Sequence, residues 1–302
     1  MSFLKIEKVL KAAGIKTIKA ELKDYTTVKI GGRARVFALA ENFEQLKTVF
    51  QTCRRYNKPY FVLGAGSNIL AHDKKLNYVF VKLAGRFEKI TQGSNRVVAG
   101  AGVPLFKLNA FFMQNGFGGM EFSFGIPGTV GGAVFMNAGA YGGQMSEWIF
   151  KVYYTDGNKV FIKRVADLEF GYRTSCFCGK DLIILKVVFK IQKSDTKTVT
   201  QKCKEYLQKR IASQPYTMPS AGSVFKKFGD TPAPVFIEET GLKGKSAGAA
   251  QISPKHCGFI VNNGGAKFRQ VFKLITKIRK TVSKKFGIIL TREVIIIPPK
   301  EE

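Results

Sequence analysis

The segment from Gly119 to Gly143 constrains the fold more than any other part of the sequence. It lies in a stretch, residues 116–143, that holds ten of the 31 glycines and contains no Lys, Arg or Asp. Disordered glycine linkers are rich in polar and charged residues, so we expect this stretch to be ordered and buried. Ordered glycines serve positive φ angles or the close approach of another group. The segment is therefore interpreted as a wall for a flat or phosphorylated ligand, with tight turns in a β-rich domain as the alternative.

The composition is that of a globular protein with two domains or one large one. Of the 302 residues, 45% are hydrophobic and 23% are charged. No run of about 18 or more apolar residues occurs, so we expect no membrane insertion. The N-terminus carries charges every few residues and lacks the apolar core of a secretory signal. We therefore expect a cytoplasmic protein, and we expect it to be a monomer.

The cysteine and histidine content argues against a disulfide framework and against a metal site. The five cysteines are an odd number and are scattered through a long chain. Cys176 and Cys178 lack the usual zinc spacing, and only His72 and His256 could assist them. No Gly-x-Ser-x-Gly motif of a serine hydrolase is present. We expect no bound metal.

A net charge of +28 raises the question of nucleic-acid binding. The densest basic cluster lies between Lys267 and Lys285 and is interleaved with apolar residues at helical spacing, ending at Gly287. This pattern predicts the solvated face of an amphipathic helix. No zinc finger or RNA-binding motif accompanies it. We expect no specific nucleic-acid partner, although a basic nucleic-acid-binding protein remains an alternative.

Hydrophobic periodicity predicts a mixed α/β body followed by a smaller α+β domain. Asn42 can cap a helix with Leu46, Val49, Phe50 and Cys53 on one face. A change of composition at residues 194–198 indicates a linker. Helices are predicted at 105–114, 199–212 and over the basic cluster, and strands at 34–39, 60–63, 78–83, 96–100, 149–154, 160–163, 182–191 and 288–297. Asp156-Gly157 predicts a hairpin turn between the strands at 149–154 and 160–163, and the fully apolar strand at 182–191 is predicted to be central.

A second glycine loop, Gly64-Ala-Gly-Ser-Asn68, follows a predicted strand directly. Its backbone N–H groups and its serine hydroxyl suit a pyrophosphate. It lacks the third glycine and the acidic ribose reader of the Rossmann fingerprint, and a simple turn would look similar. Together with Gly125–Gly132 it favours a large dinucleotide such as FAD, held outside the Rossmann pattern.

Three polar residues occur among apolar or small neighbours. Arg173, Ser223 and Glu293 lie in Phe170–Ser175, in Ser220–Lys227 and in an apolar predicted strand, respectively. Taken singly, they fit a surface cation, a turn hydroxyl and the polar face of an edge strand. The sequence alone leaves this structural interpretation and a functional role open for each of the three residues.

In this order, the motifs closely resemble the UDP-N-acetylenolpyruvoylglucosamine reductase (MurB) family. The resemblance extends over about residues 20–297, and the long glycine segment is its most specific part. The matching runs are Tyr25–Gly32, Val62–Asn68, Gly119–Gly142, Tyr172–Ser175, Ser220–Lys226, Gln251–His256, Phe259–Asn262 and Glu293-Val294.

The resemblance implies an α+β fold. It implies a two-part FAD-binding region of the vanillyl-alcohol-oxidase/PCMH type over residues 21–193, with its two subdomains meeting near residue 84. An N-terminal arm over residues 1–20 precedes it, and a substrate-binding domain over 199–302 follows. The chain is similar to the shorter subgroup, which lacks an extra substrate-covering loop and its tyrosine.

The resemblance also implies an oxidoreductase that uses non-covalent FAD and NADPH. It would reduce the enolpyruvyl ether of a UDP-sugar to the lactyl ether in peptidoglycan precursor synthesis. Ser223 matches the proton donor, and Arg173 and Glu293 match the activating pair. A buried apolar strand around Glu293 would favour its protonated form. The implied substrate contacts are Tyr172, Lys226 and Lys227, and the implied cofactor contacts are Tyr25, Gly64, Ala65, Gly66, Ser67, Asn68, Gly125, Ile126, Pro127, Gly128, Thr129, Gly131, Gly132, Ala138 and Gly139.

Two positions depart from the family pattern, and a second flavoenzyme class remains open. Lys227-Phe228 replaces a common Asn-Pro, and Thr291 stands where an acidic residue is frequent. The runner-up is an oxygen-using FAD oxidase with the same flavin fold. Its covalent forms need a histidine near the flavin, for which His72 is the N-terminal candidate.

Overall fold

A computed structural model describes residues 2–298, which form two compact units. Unit 1 comprises residues 2–18, 36–65 and 78–209, and unit 2 comprises residues 19–35, 66–77 and 210–298. The chain therefore leaves unit 1 twice before its C-terminal third, and the two short excursions belong to unit 2. No helix among the described residues is both long and apolar enough to span a membrane.

The helices and strands are numbered along the chain. The helices are α1 Ser2–Ala12, α2 Phe43–Arg55, α3 Leu105–Gln114, α4 Val130–Phe135, α5 Met145–Trp148, α6 Thr196–Ser213, α7 Ala233–Glu239 and α8 Phe268–Phe286. The strands are β1 Lys16–Ile18, β2 Ala34–Ala40, β3 Tyr60–Val62, β4 Ile69–Ala71, β5 Leu76–Leu83, β6 Ile90–Gln92, β7 Arg96–Gly100, β8 Phe117–Gly118, β9 Gly139–Ala140, β10 Gly143–Gln144, β11 Ile149–Thr155, β12 Val160–Arg164, β13 Phe170–Gly171, β14 Thr174–Ser175, β15 Ile183–Lys190, β16 Gln192–Lys193, β17 Ser220–Ser223, β18 Ser246–Ala247, β19 Ala250–Ile252, β20 Phe259–Asn262 and β21 Ile295–Ile297.

Unit 1 contains two larger sheets that share one hydrophobic core. The first has the strand order β1-β2-β5-β3, and β3 and β5 run parallel. The second is antiparallel, with the order β12-β11-β15-β7-β6. Six of the eight residues of β15 are buried, because this strand is central and has neighbours on both sides. The prediction of a central strand here is confirmed.

The predicted helix after Asn42 is present as α2. The Asn42 side chain accepts a hydrogen bond from the Gln45 N–H at 3.0 Å, which caps the helix. All four residues of the predicted apolar face are buried, so periodicity identified this face correctly. The predicted turn between β11 and β12 is also confirmed: Asp156 Oδ1 accepts N–H bonds from Asn158 and Lys159.

Unit 2 is built on an antiparallel sheet with the order β17-β20-β19-β18. The basic helix α8 packs on it through five buried apolar residues, and its predicted cations are exposed. Gly287 ends the helix in the left-handed conformation at φ 72°, as predicted. A separate parallel pair joins β21 to β4, with Ile295 opposite Ile69.

Two predicted segments differ from the structure. The strand predicted at 288–297 is wrong for most of its length, because only Ile295–Ile297 forms a strand. The linker predicted at 194–198 is ordered structure. Ser194 N–H donates to Gly116 O at 2.8 Å, and Asp195 accepts from the Thr198 N–H at 2.8 Å as α6 begins. Local hydrogen bonding by Ser, Asp and Thr explains why a composition typical of linkers starts a helix here.

Candidate active site

The long glycine segment is folded into short turns and packed elements of unit 1. It contains a 3₁₀ turn at Glu121–Ser123, then α4, then the β9–β10 hairpin. Thr129 caps α4, since its Oγ1 accepts a hydrogen bond from the Gly132 N–H at 3.3 Å. Tight turns, the alternative interpretation, therefore describe how the segment is built, and they leave Pro127 and Gly132 exposed at its surface.

The loop Gly64–Asn68 lies against this segment at its unit 1 end. A Cβ built on Gly64 would lie 2.7 Å from Thr129 Oγ1, closer than van der Waals contact permits. The two predicted glycine walls thus meet in unit 1. Within residues 2–298, the backbone N–H groups of the four residues from Ala65 to Asn68 have no hydrogen-bond acceptor. A row of such donors fits the pyrophosphate of a dinucleotide, so the chain's residues are chemically suited to FAD.

The rest of the loop is anchored within unit 2. Gly66 has φ 64°, and a Cβ there would lie 2.1 Å from Tyr25 O, so only glycine fits. The Gly66 carbonyl accepts a hydrogen bond from the Thr27 N–H at 3.2 Å. Asn68 binds the Glu293 segment twice: its Nδ2 donates to Glu293 O at 3.1 Å, and its carbonyl accepts from the Ile295 N–H at 3.0 Å. The loop therefore fixes the backbone on both sides of Val294.

Ser223 and Glu293 lie on neighbouring segments of unit 2. Ser223 is the last residue of β17, and its half-buried hydroxyl donates to Phe225 O at 3.4 Å. The Glu293 N–H donates to Val224 O at 2.8 Å, and Phe225 pairs with Arg292 in an isolated bridge. Backbone hydrogen bonds thus bring together two of the three predicted catalytic residues.

The surroundings of Glu293 differ from the prediction. It was expected in a buried apolar strand, which would favour its protonated form. The side chain is half-buried and precedes β21, outside any strand. The apolar sequence Ile288–Ile297 misled the prediction because Leu290 and Val294 fill the core while their neighbours follow an irregular path.

Arg173 occupies the turn of a small hairpin in unit 1. Its backbone is left-handed, at φ 53°, between β13 and β14. The Nη2 group donates to Gly139 O at 2.7 Å, and the guanidinium lies 5.0 Å from the centre of the Tyr172 ring. Gly139 belongs to the glycine segment, so the predicted catalytic cation and the predicted cofactor residues are joined directly.

The predicted site residues are distributed over both units. Ser223, Glu293, Tyr25, Gly66, Ser67, Asn68, Lys226 and Lys227 belong to unit 2. Gly64, Ala65, Gly125, Ile126, Pro127, Gly128, Thr129, Gly131, Gly132, Ala138, Gly139, Tyr172 and Arg173 belong to unit 1.

Comparisons with known proteins assign the chain to a family. The model for the C-terminal domain of UDP-N-acetylenolpyruvoylglucosamine reductase matches residues 214–297, and a model for an FAD-binding domain matches residues 34–158. The Thermotoga maritima reductase of that name is 40% identical over 276 residues, which cover 91% of this chain and 96% of the relative. A Clostridium botulinum relative of the same name is 40% identical over 282 residues, covering 93% and 92%. The chain belongs to the UDP-N-acetylenolpyruvoylglucosamine reductase family.

A solved structure of this reductase family supports the assignment. The crystal structure of the Thermus caldophilus enzyme is similar with a TM-score of 0.82 and 34% identity, covering 94% of this chain and all of the other. The predicted family and the α+β fold with an FAD-binding region are confirmed, and FAD is the cofactor that the matching domain binds. The two matched domains begin at residues 34 and 214, whereas the compact units interleave along the chain.

The two departures from the reductase family pattern have distinct surroundings. Lys227 is bonded to Asp230, with Nζ 2.9 Å from Oδ1. Thr291 is exposed, and its carbonyl accepts a hydrogen bond from the Lys226 N–H at 2.9 Å. Thr291 therefore holds the lysine segment through its backbone, which leaves the identity of its side chain unconstrained by this contact.

Cysteine and histidine chemistry has little support in the described residues. Burial raises the pKa of the Cys53 and Cys203 thiols to about 12, so both are protonated and poor nucleophiles at neutral pH. His72 belongs to unit 2, and its Nδ1 accepts a hydrogen bond from the Lys74 N–H at 3.0 Å. Within residues 2–298, no group of three or more His, Cys, Asp or Glu residues could hold a metal ion.

Sequence reasoning missed the hydrogen bonds that two asparagines make next to predicted site residues. It assigned Asn68 to the cofactor but not to the Glu293 backbone, and it did not single out Asn137. Asn137 is buried and left-handed, with φ 43°. Its position among glycines and alanines was the available signal, because a buried polar side chain must find hydrogen-bond partners.

Proposed function

We propose that the chain is an NADPH-dependent reductase of UDP-N-acetyl-3-O-(1-carboxyvinyl)-glucosamine that forms UDP-N-acetylmuramate. The observation that carries the proposal is family membership, at 40% identity over 91% of the chain to a relative with this name. The proposal includes a role in cytoplasmic peptidoglycan precursor synthesis, which follows from the substrate.

The cofactor site is assigned to the two glycine walls. The N–H groups of Ala65 to Asn68 bind the pyrophosphate of FAD, and within unit 1 the segment Gly125–Gly132 packs on Gly64 through Thr129. When bound, FAD supplies a carrier that accepts hydride from NADPH and donates it to the terminal carbon of the enolpyruvyl group.

Arg173 binds the carboxylate of the enolpyruvyl group. Negative charge develops on this carboxylate and on the adjacent carbon as hydride arrives, and charge-assisted hydrogen bonds from a guanidinium stabilise it. The bond from Nη2 to Gly139 O fixes the orientation of the guanidinium before the substrate binds. Pre-orientation matters because a donor that need not reorganise contributes most to the rate.

Glu293 assists the same charge development through a hydrogen bond. Its backbone is held by Val224 O, and Asn68 bonds the carbonyl of the same residue. These contacts fix the backbone from which the Glu293 side chain extends, although the residue lies outside any strand. A carboxyl group can donate a hydrogen bond only when it is protonated, so the proposed role is that of a neutral carboxylic acid.

Ser223 donates the proton that completes the reduction. A serine hydroxyl is a weak acid, so this role depends on close positioning next to the substrate carbon. The 3.4 Å hydrogen bond to Phe225 O is long, and the hydroxyl can exchange it for a substrate contact at small cost. The proton adds to the carbon that bears the carboxylate, and the hydride adds to the terminal carbon.

Lys226 and Lys227 bind the diphosphate of the sugar nucleotide. The exposed ion pair between Lys227 and Asp230 contributes about 0–1 kcal/mol, so exchanging it for a doubly charged diphosphate is inexpensive. The lysine in place of asparagine therefore keeps an anion-binding function at this position.

The test is turnover of purified protein carrying FAD. We expect continuous NADPH oxidation, beyond the one equivalent that reduces the bound flavin, only when the enolpyruvyl sugar nucleotide is present, with one product molecule, heavier by two hydrogens, formed per NADPH consumed. NADPH oxidation that depends on oxygen and is indifferent to the sugar nucleotide would favour the oxidase alternative instead.

A further inference from the structure

Asn137 occupies an unusual position between α4 and β9. Its side chain is 1% exposed, and its backbone adopts φ 43°. Asn is among the few non-glycine residues that tolerate this left-handed conformation. A buried amide in a strained backbone position persists only where its surroundings hold it in place.

The amide of Asn137 joins three segments of unit 1. Its Oδ1 accepts a hydrogen bond from the Ser146 N–H at 3.0 Å. Its Nδ2 donates to Gln144 Oε1 at 3.1 Å and to Gly171 O at 3.0 Å. Since Ser146 N–H can only donate and Gly171 O can only accept, these two partners fix the orientation of the amide.

The bond to Gly171 reaches the base of the hairpin that carries Arg173. Gly171 pairs with Thr174 across the β13–β14 hairpin, so the turn between them consists of Tyr172 and Arg173. At the tip of this turn, the guanidinium donates to Gly139 O, two residues after Asn137. Residues 137–139 and the β13–β14 hairpin are therefore joined at two points: by the side chain of Asn137 at the base of the hairpin and by the guanidinium of Arg173 at its tip.

We propose that Asn137 is a positioning residue that sets the orientation of the Arg173 guanidinium toward the substrate carboxylate. The proposal rests on the function proposed for Arg173. Asn137 holds the base of the hairpin, Gly139 holds its tip, and together they define where the cation points. After loss of the Gly171 bond, the β14 side of the hairpin stays attached through the Ser175 hydroxyl, which donates to Phe135 O at 2.6 Å, while the β13 side that leads into Tyr172 and Arg173 can shift.

The informative variant is Asn137→Asp. A carboxylate keeps the length of the side chain and the tolerance for a left-handed backbone, and it still accepts from the Ser146 N–H. It cannot donate to Gly171 O or Gln144 Oε1. We expect reoxidation of reduced flavin by the enolpyruvyl sugar nucleotide to slow by about ten- to a hundredfold, since small misplacements of a catalytic group have effects of this size.

Three matched variants separate positioning from general damage. Gln144→Ala removes one acceptor and leaves the Gly171 bond, so we expect a smaller effect than in Asn137→Asp. Asn115→Asp also loses an amide-to-carbonyl bond, from Nδ2 to Phe111 O at 2.8 Å, but at the exposed C-cap of α3, and it should match the wild type. Arg173→Ala tests the proposed role of the arginine itself.

The deciding measurement is a double-mutant cycle in the substrate half-reaction. If Asn137 acts through Arg173, Asn137→Asp changes the rate of Arg173→Ala protein by less than about twofold. Flavin content, melting temperature and flavin reduction by NADPH are measured on each variant. If Asn137→Asp fails to fold, Asn137→Gly, which keeps the left-handed backbone, takes its place in the cycle.

The outcomes distinguish the two proposals. Multiplicative effects of the two substitutions, or equal loss of both half-reactions in Asn137→Asp, would overturn the positioning role while leaving the proposed function standing. An unaffected Arg173→Ala enzyme would overturn the role of the arginine, and the positioning role with it.

Discussion

The contact between the two glycine walls gives a quantitative test of how the cofactor site is built. A methyl group added at Gly64 would lie 2.7 Å from Thr129 Oγ1 and 3.8 Å from Thr129 Cβ. Gly64 is not among the residues with positive φ, so the backbone accepts alanine and the cost comes from the contact alone. The hydroxyl must retreat by about 0.7 Å to reach an ordinary separation in a close-packed interior.

This displacement removes the helix cap that Thr129 supplies. Oγ1 accepts the Gly132 N–H at 3.3 Å, near the limit for a hydrogen bond, so a retreat that lengthens this distance by a few tenths of an ångström breaks it. Loss of the cap costs about 1 kcal/mol, and residual crowding brings the cost of Gly64→Ala to about 1–3 kcal/mol. Thr129→Ala loses only the cap, at about 1 kcal/mol. In the double variant the clash disappears, because the oxygen is gone and the remaining Cβ lies at an ordinary distance.

The free energy of unfolding in urea, measured for the wild type, both single variants and the double variant, checks this reasoning. We expect the double variant to be about as stable as Thr129→Ala alone, so that Gly64→Ala is nearly neutral in that background. Flavin retention after gel filtration should fall most in Gly64→Ala. Additive destabilisation in the double variant would show that the two walls are not in contact as described.

Three further predictions concern the chemistry and the stability of the chain. Ser223→Ala should leave flavin reduction by NADPH intact and block reoxidation by the sugar nucleotide, as followed by flavin absorbance without oxygen; equal loss of both steps would refute the proton-donor role. Because burial raises the pKa of Cys53 and Cys203 from 9.0 to about 12, their contribution to stability is complete below pH 9 and is lost as pH rises toward 12. The free energy of unfolding, measured across that range, should fall as pH rises. In the Cys53→Ala variant, the fall from its own value at pH 8 should be smaller than in the wild type. Gly287→Ala should lower the free energy of unfolding by about 1 kcal/mol, because φ is 72° and nothing within 4 Å opposes the methyl itself; an unchanged value would contradict the left-handed cap.

The sequence predicted the regular elements well because their signals are local. The capping residue and apolar face of α2, the turn between β11 and β12, and the glycine after α8 each depend on residues a few positions apart. The family motifs added the identity of the FAD-binding region, which periodicity alone left as one of two interpretations.

The failures lie where tertiary contacts decide the structure. The apolar run before β21 satisfies a strand pattern, yet its backbone bonds to Val224 and Asn68 instead of to a continuous partner strand. Residues 19–35 and 66–77 belong to unit 2, although residues of unit 1 flank both segments in the sequence. No local pattern predicts this, since it depends on contacts with segments far along the chain. The sequence also could not identify the partner of Asn137, because Gly171 lies 34 positions away.

The most direct test of the central claim is an anaerobic experiment in two steps. Purified protein carrying FAD is first mixed with NADPH, and the enolpyruvyl sugar nucleotide is then added without oxygen. We expect the flavin absorbance to bleach in the first step and to return in the second, with formation of the lactyl ether of the sugar nucleotide. Flavin that bleaches but stays reduced until oxygen is admitted would contradict the proposed reductase function.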